Sequence, residues 1–118
     1  MKVAVFGTGY VGLTLAACLA EVGHSVCCVD VDAQRVANLS QGQCPIFEPG
    51  LPLLLKNGLA SARLLFSLDA AQAIEAASVI FIAVGTPSLP DGGADLSQVF
   101  AVADSIGRHA KGEKIVVN

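Results

Sequence analysis

Lys2-Val-Ala-Val-Phe-Gly-Thr-Gly-Tyr-Val-Gly-Leu13 decides how this chain folds. An apolar run with strand character stops at Gly7, and a helical pattern begins before Gly12. The glycines fall at the spacing G-x-G-x-x-G, which marks a dinucleotide-binding turn when it joins a strand to a helix. Gly7 permits the tight turn, Gly9 lets the backbone approach a pyrophosphate, and Gly12 lets the helix pack close to the strand. The diphosphate then rests on N–H groups that the first helical turn leaves unpaired, at the positive end of the helix dipole.

The flanks supply the context that a bare glycine motif lacks. Leu13 to Val22 is a helix-length stretch rich in Ala and Leu, closed by Gly23 as a C-cap. Ser25-Val-Cys-Cys-Val29 follows as a short apolar strand with Asp30 at its end. Asp30 lies 18 residues beyond Gly12, close to the offset of about 20 at which an acidic side chain meets the adenosine ribose. A carboxylate there accepts hydrogen bonds from ribose hydroxyls and repels a 2′-phosphate, so the expected cofactor is NAD and not NADP. The alternative is a solvated residue at a strand end.

Working outward, periodicity gives strands near 2–6, 25–29, 63–67, 78–84 and 114–118, with helices between them. The second helix covers about Ala33 to Leu39, with Gly42 beyond its end. A short helix runs from about Leu51 to Asn57. Asp69 is the candidate N-cap of a helix from Ala70 to Ala77, with Gln72 near a capping-box position. Asp95 is the candidate cap of a longer helix from Leu96 to about Ala110. Strands alternating with helices imply right-handed crossovers and an α/β doubly wound parallel sheet of the Rossmann type, in the order 3-2-1-4-5. Gln43 to Pro52 interrupts the rhythm with three prolines and a glycine. Proline fixes φ and removes donors, so this is an irregular loop, either a contact surface or a connector.

Composition is consistent with that architecture. Of 118 residues, 53% are hydrophobic and 14% charged, against typical values of about 45–50% and 25%. A parallel sheet buried on both faces accounts for part of the excess, and surface awaiting further chain or a second subunit accounts for the rest. A net charge of -3 without a basic cluster argues against nucleic-acid or membrane binding. No apolar run reaches the roughly 18 residues of a membrane span. The first strand starts at residue 2 and leaves no room for a signal peptide, so a cytoplasmic location is expected. Cys18, Cys27, Cys28 and Cys44 lack metal-type spacing and read as reduced packing residues, with Cys27 and Cys28 on opposite faces of a strand.

Ligands of such sheets bind where strand order reverses, between the ends of the first and fourth strands. The fourth strand leads through Val84 into Gly85-Thr86-Pro87, which therefore faces the glycine turn. Gly85 allows close backbone approach, Thr86 offers a hydroxyl to the nicotinamide-side ribose phosphate, and Pro87 stiffens the turn. Arg35 opens the second helix on the adenine side; it either pairs with the cofactor or is an exposed helix arginine. His24 and His109 do not look catalytic.

Val5-Phe-Gly-Thr-Gly-Tyr-Val-Gly12, Val29-Asp-Val-Asp32, Pro45-Ile-Phe-Glu-Pro-Gly-Leu51, Phe81-Ile-Ala-Val-Gly-Thr-Pro87 and Ala94-Asp-Leu-Ser97 together resemble the start of the nucleotide-sugar 6-dehydrogenases. The resemblance covers essentially the whole chain. Gly92 to Ser97 and Ile106 to His109 look more like the UDP-glucose branch than the GDP-mannose branch. It implies four-electron oxidation of a UDP-sugar substrate, UDP-glucose to UDP-glucuronate, with two NAD and a cysteine-bound thiohemiacetal. It also places cofactor contacts at Tyr10, Val11, Asp30, Arg35 and Thr86. The full cofactor-binding set is Gly7, Thr8, Gly9, Tyr10, Val11, Gly12, Asp30, Arg35, Val84, Gly85 and Thr86, with no metal ligand.

No catalytic residue is assigned. In the family the nucleophilic cysteine follows a Gly-Gly pair later in the chain, and none of the four cysteines here has that setting. Residues 1–118 are accordingly expected to be an incomplete N-terminal dinucleotide-binding domain, truncated before the central helix and substrate domain, and inactive alone. An uncovered fifth strand and bare helix faces are expected to favour homo-oligomers. The competing reading is a stand-alone NAD-sensing module without chemistry. It shares the glycine turn and Asp30 but leaves the Pro45–Leu51 loop and the Val84–Pro87 turn unexplained.

Overall fold

The computed structural model describes all 118 residues. Five strands alternate with helices: β1 (Lys2–Phe6), α1 (Tyr10–Glu21), β2 (Ser25–Val29), α2 (Ala33–Ser40), α3 (Leu51–Ala60), β3 (Leu64–Ser67), α4 (Ala70–Ala76), β4 (Val79–Ile82), α5 (Ser97–His109) and β5 (Ile115–Val117). The sheet is parallel throughout, in the expected order β3-β2-β1-β4-β5. Phe6 pairs with Val29 on one side and Ile82 on the other. The carboxyl ends of β1, β2 and β4 therefore finish level, and Gly7, Asp30 and Ala83 leave the sheet along one edge.

Alternation along β1 sends Val3 and Val5 to one face and Ala4 and Phe6 to the other, and all are buried. On the first face Val3 and Val5 pack with Leu13, Ala16, Ala17 and Ala20 of α1 and with Leu51 and Leu55 of α3. On the second, Ala4 and Phe6 pack with Ala73 and Ile74 of α4 and Val102 and Ile106 of α5. Leu13, Leu39, Leu55 and Leu64 are fully buried, each side chain worth roughly 1.5–3 kcal/mol relative to exposure. Cys28 belongs to the first core and Cys27 packs against the second, as strand alternation requires. Alanines along α1 keep that helix close to the sheet, which is what brings its N-terminus over the end of β1.

Several boundaries differ from the sequence expectations. Asp95 is not the N-cap of α5: the helix starts at Ser97, Leu96 occupies the cap position, and Asp95 Oδ1 accepts the Ser97 N–H at 2.9 Å. That bond spans two residues, so Asp95 forms an Asx turn ahead of the helix. Asp69 does cap α4, accepting the Gln72 N–H at 3.0 Å, but its own N–H goes to Ser67 Oγ and not to the Gln72 side chain, so the box is half made. β4 ends at Ile82, two residues early, because only Ala83 N–H still reaches the sheet, at Phe6 O. The helix expected over residues 51–57 runs on to Ala60. Gly23, with φ +109, and Gly42, with φ +85, end α1 and α2 as expected.

Candidate functional site

Gly7, with φ +106, donates its N–H to Val29 O at 2.8 Å, which closes the turn onto β2. A Cβ on Gly7 would overlap the Ala83 carbonyl, and one on Gly12 would overlap the Gly7 carbonyl. These two glycines are demanded by the protein's own packing. Gly9 is different, since a Cβ there meets nothing within 4 Å. It forms the N-cap of α1 and provides no side-chain cap, so the first-turn N–H groups open onto free space. The chain alone has no need of glycine at this position; a large anion drawn close to the backbone does. The residues thus fit a bound diphosphate.

Asp30 stands at the end of β2, beside that turn. Its Oδ2 accepts the Thr8 hydroxyl at 2.6 Å and the Thr8 N–H at 3.0 Å, and its Oδ1 accepts the Asp32 N–H at 3.0 Å. Burial alone would raise the Asp30 pKa. The Thr8 hydroxyl, the Asp32 and Thr8 N–H groups and the positive charge of Arg35 together outweigh it and hold the carboxyl below the usual range. Arg35 sits on the first turn of α2, which Asp32 caps by accepting the Arg35 N–H at 3.1 Å. The guanidinium makes no ion pair within the chain.

These groups line one open cavity of about 680 Å³, within the range of ligand pockets. It brings together Gly7, Thr8, Gly9, Tyr10, Val11, Asp30, Arg35, Val84, Gly85 and Thr86. Of the expected set only Gly12 lies outside the lining, and its place is structural, beneath the turn. Gln98, Ala101, Val102 and Ser105 of α5, with Leu68 before α4 and Ala70 at its first position, add to the walls. The α5 positions follow the one-face spacing i, i+3, i+4, i+7. That signal is present in the sequence, but it cannot say what the face meets.

The irregular loop also reaches the site. Glu48 accepts a hydrogen bond from the Tyr10 hydroxyl, tying the Pro45–Leu51 segment to the first residue of α1. Sequence reasoning singled out the loop without finding this role for Glu48. Phe47 beside it is fully exposed. Cys27 and Cys28 point into the cores, where burial raises both thiol pKa values, and no cysteine lines the cavity.

A model of the UDP-glucose/GDP-mannose dehydrogenase family, NAD binding domain, matches residues 1–118. UDP-glucose 6-dehydrogenase from Pseudomonas aeruginosa is 51% identical over 118 residues, covering 100% of this chain and 26% of that protein. UDP-glucose 6-dehydrogenase TuaD from Bacillus subtilis is 47% identical over 117 residues, covering 99% of this chain and 25% of its own length. Among solved structures, a ternary complex of GDP-mannose dehydrogenase from Pseudomonas aeruginosa superposes with a TM-score of 0.88 at 42% identity, covering 91% of this chain and 24% of that one. The chain spans about a quarter of the length of these relatives. A match that runs unbroken from β1 to β5 places these residues in the UDP-glucose/GDP-mannose dehydrogenase family, as its NAD-binding domain.

Proposed function

We propose that residues 1–118 serve as the NAD-binding portion of a nucleotide-sugar 6-dehydrogenase that oxidises UDP-glucose to UDP-glucuronate. The observation that carries the cofactor choice is Asp30, a carboxylate fixed by three donors at the end of β2 and beside the glycine turn. An ionised acid there accepts a ribose hydroxyl and repels a phosphate ester. The N–H groups of Gly9, Tyr10 and Val11 would take the diphosphate, Arg35 the adenosine side, and Val84, Gly85 and Thr86 the nicotinamide side. NAD supplies a hydride acceptor, and two equivalents balance the four electrons lost when a primary alcohol becomes a carboxylate, with water providing the second oxygen.

The cavity holds no thiol, imidazole or lysine ammonium, so on this proposal chemistry at the sugar depends on groups outside these 118 residues. UDP-glucose is favoured over GDP-mannose because the two UDP-glucose 6-dehydrogenases named above are more similar to this chain than the GDP-mannose dehydrogenase is. Free, unpaired cysteines suit a cytoplasmic location. Exposed Ile115, Val116 and Val117 on β5 suit association of copies.

Calorimetric titration of the 118-residue chain with NAD and NADP tests the cofactor reading: NAD binds and NADP binds more weakly. Equal affinities would overturn the role given to Asp30. In the same samples, addition of UDP-glucose and NAD should give no NADH absorbance, and light scattering should report species larger than a monomer. Turnover, or a clean monomer at high concentration, removes the corresponding part of the proposal.

A further inference from the structure

We propose that Thr8 is a positioning residue that sets cofactor choice by pinning Asp30, and that its hydroxyl does not bind the cofactor. The proposal rests on the reading that NAD occupies this crevice. Thr8 is the one polar residue buried as a whole, 1% exposed. Its hydroxyl carries a single proton, and that proton goes to Asp30 Oδ2 at 2.6 Å, within the range of a short, charge-assisted bond. Its N–H goes to the same oxygen. Both donors of Thr8 are spent within the chain, as is the Gly7 N–H on Val29 O. The diphosphate is therefore left to the amides from Gly9 onward.

The geometry also determines what Asp30 has left to offer. A carboxylate has about four acceptor directions. Thr8 fills two on Oδ2, and the Asp32 N–H fills one on Oδ1. One direction on Oδ1 remains for a ribose hydroxyl. With its rotation blocked by Thr8, the carboxylate cannot turn away from a 2′-phosphate, nor does it pay to become ordered when NAD arrives. Its other titratable neighbours are Arg35 and Asp32 at the start of α2 and Cys28 on β2. Only Arg35 brings a positive charge.

Thr8→Val removes the hydroxyl while keeping shape and the backbone N–H, and Thr8→Ser restores the donor. NAD and NADP affinities are measured for each by calorimetry, and the Asp30 carboxyl is titrated by NMR. In Thr8→Val, NAD affinity should fall about tenfold, as expected for losing a hydrogen bond to a charged group. The NAD-to-NADP ratio should shrink, and Asp30 should titrate at a higher pH than in the wild type. Thr8→Ser should bring all three back. Thr8→Ala gives the same readouts should Thr8→Val not fold. A hydroxyl-free variant with wild-type affinity ratio and an unmoved Asp30 titration overturns the proposal. Wild-type protein that binds neither nucleotide sinks the cofactor reading instead, and the carboxyl titration still decides whether Thr8 controls Asp30.

Discussion

On the β1–β2 side of the crevice, Gly7 is hydrogen-bonded to Val29, and Thr8 and Asp32 are bonded to Asp30, all at 2.6–3.0 Å, and Thr8 is buried. Across from it, Gly85 and Thr86 are exposed, lie outside any strand or helix, and the Thr86 hydroxyl makes no bond within the chain. Both walls leave the sheet at the same level, yet only one is finished by the chain itself. On the function proposed above, the difference follows from what each must do. A wall that discriminates between two nearly identical cofactors has to resist moving, because a mobile carboxylate would relax around the wrong one. A wall that meets the reacting end can take its order from the ligand and from residues beyond it, at some entropic cost on binding.

The largest effect that separates the walls is steric. Gly12→Ala puts a methyl into the Gly7 carbonyl and should cost about 3 kcal/mol through displaced backbone. Gly85→Ala meets only Gln98 Nε2, at 3.8 Å, and should stay within about 0.5 kcal/mol of wild type. Urea unfolding of both variants checks the contrast. Equal costs would mean that the finished wall is no tighter than the open one.

A smaller effect comes from charge. Because the folded-state pKa of Asp30 is depressed, its contribution to stability is present above the unfolded carboxylate pKa and disappears as pH falls through the folded one. Asp30→Asn should therefore flatten the acid side of the profile of melting temperature against pH, and lower NAD affinity about tenfold. Thr86→Val should leave that acid limb unchanged and weaken NAD only about threefold. An unaltered limb in Asp30→Asn would show that the three donors do not favour the ionised acid.

Much of the finished wall could be read from the sequence, for a physical reason. Gly7, Gly9, Gly12 and Asp30 act through backbone conformation, close approach and position at a strand end, all of which are local. The strand order also followed from local patterns, since both faces of β1 alternate into cores. The open wall depends on packing between distant elements. The apolar and polar spacing of Gln98, Ala101, Val102 and Ser105 was visible, but which neighbour that face meets is fixed by how α5 crosses the sheet. The start of α5 lies one residue beyond the expected one because Asp95 bonds two positions ahead and not three. Glu48 escaped for the same reason as the α5 face: its partner is 38 residues away.

The contact between Glu48 and Tyr10 carries the smallest of the predicted effects and the cleanest measurement. Tyr10 is the only tyrosine, and the chain has no tryptophan, so near-ultraviolet absorbance follows one phenol without interference. The hydrogen bond from its hydroxyl to Glu48, the negative charge of that carboxylate and slight burial all raise its pKa above the ordinary phenol value. Ionising the phenol would remove the donor and set two negative charges against each other. Glu48→Gln removes the charge but keeps an acceptor, so the midpoint should fall toward the ordinary value without changing fold. The bond is exposed, and such contacts contribute little to stability, so melting temperature should barely move. An unchanged phenol midpoint would mean that the Pro45–Leu51 loop is not held against α1 in solution. The finished wall would then stop at Asp30 and the glycine turn, with Tyr10 belonging to the part of the crevice that waits for its ligand.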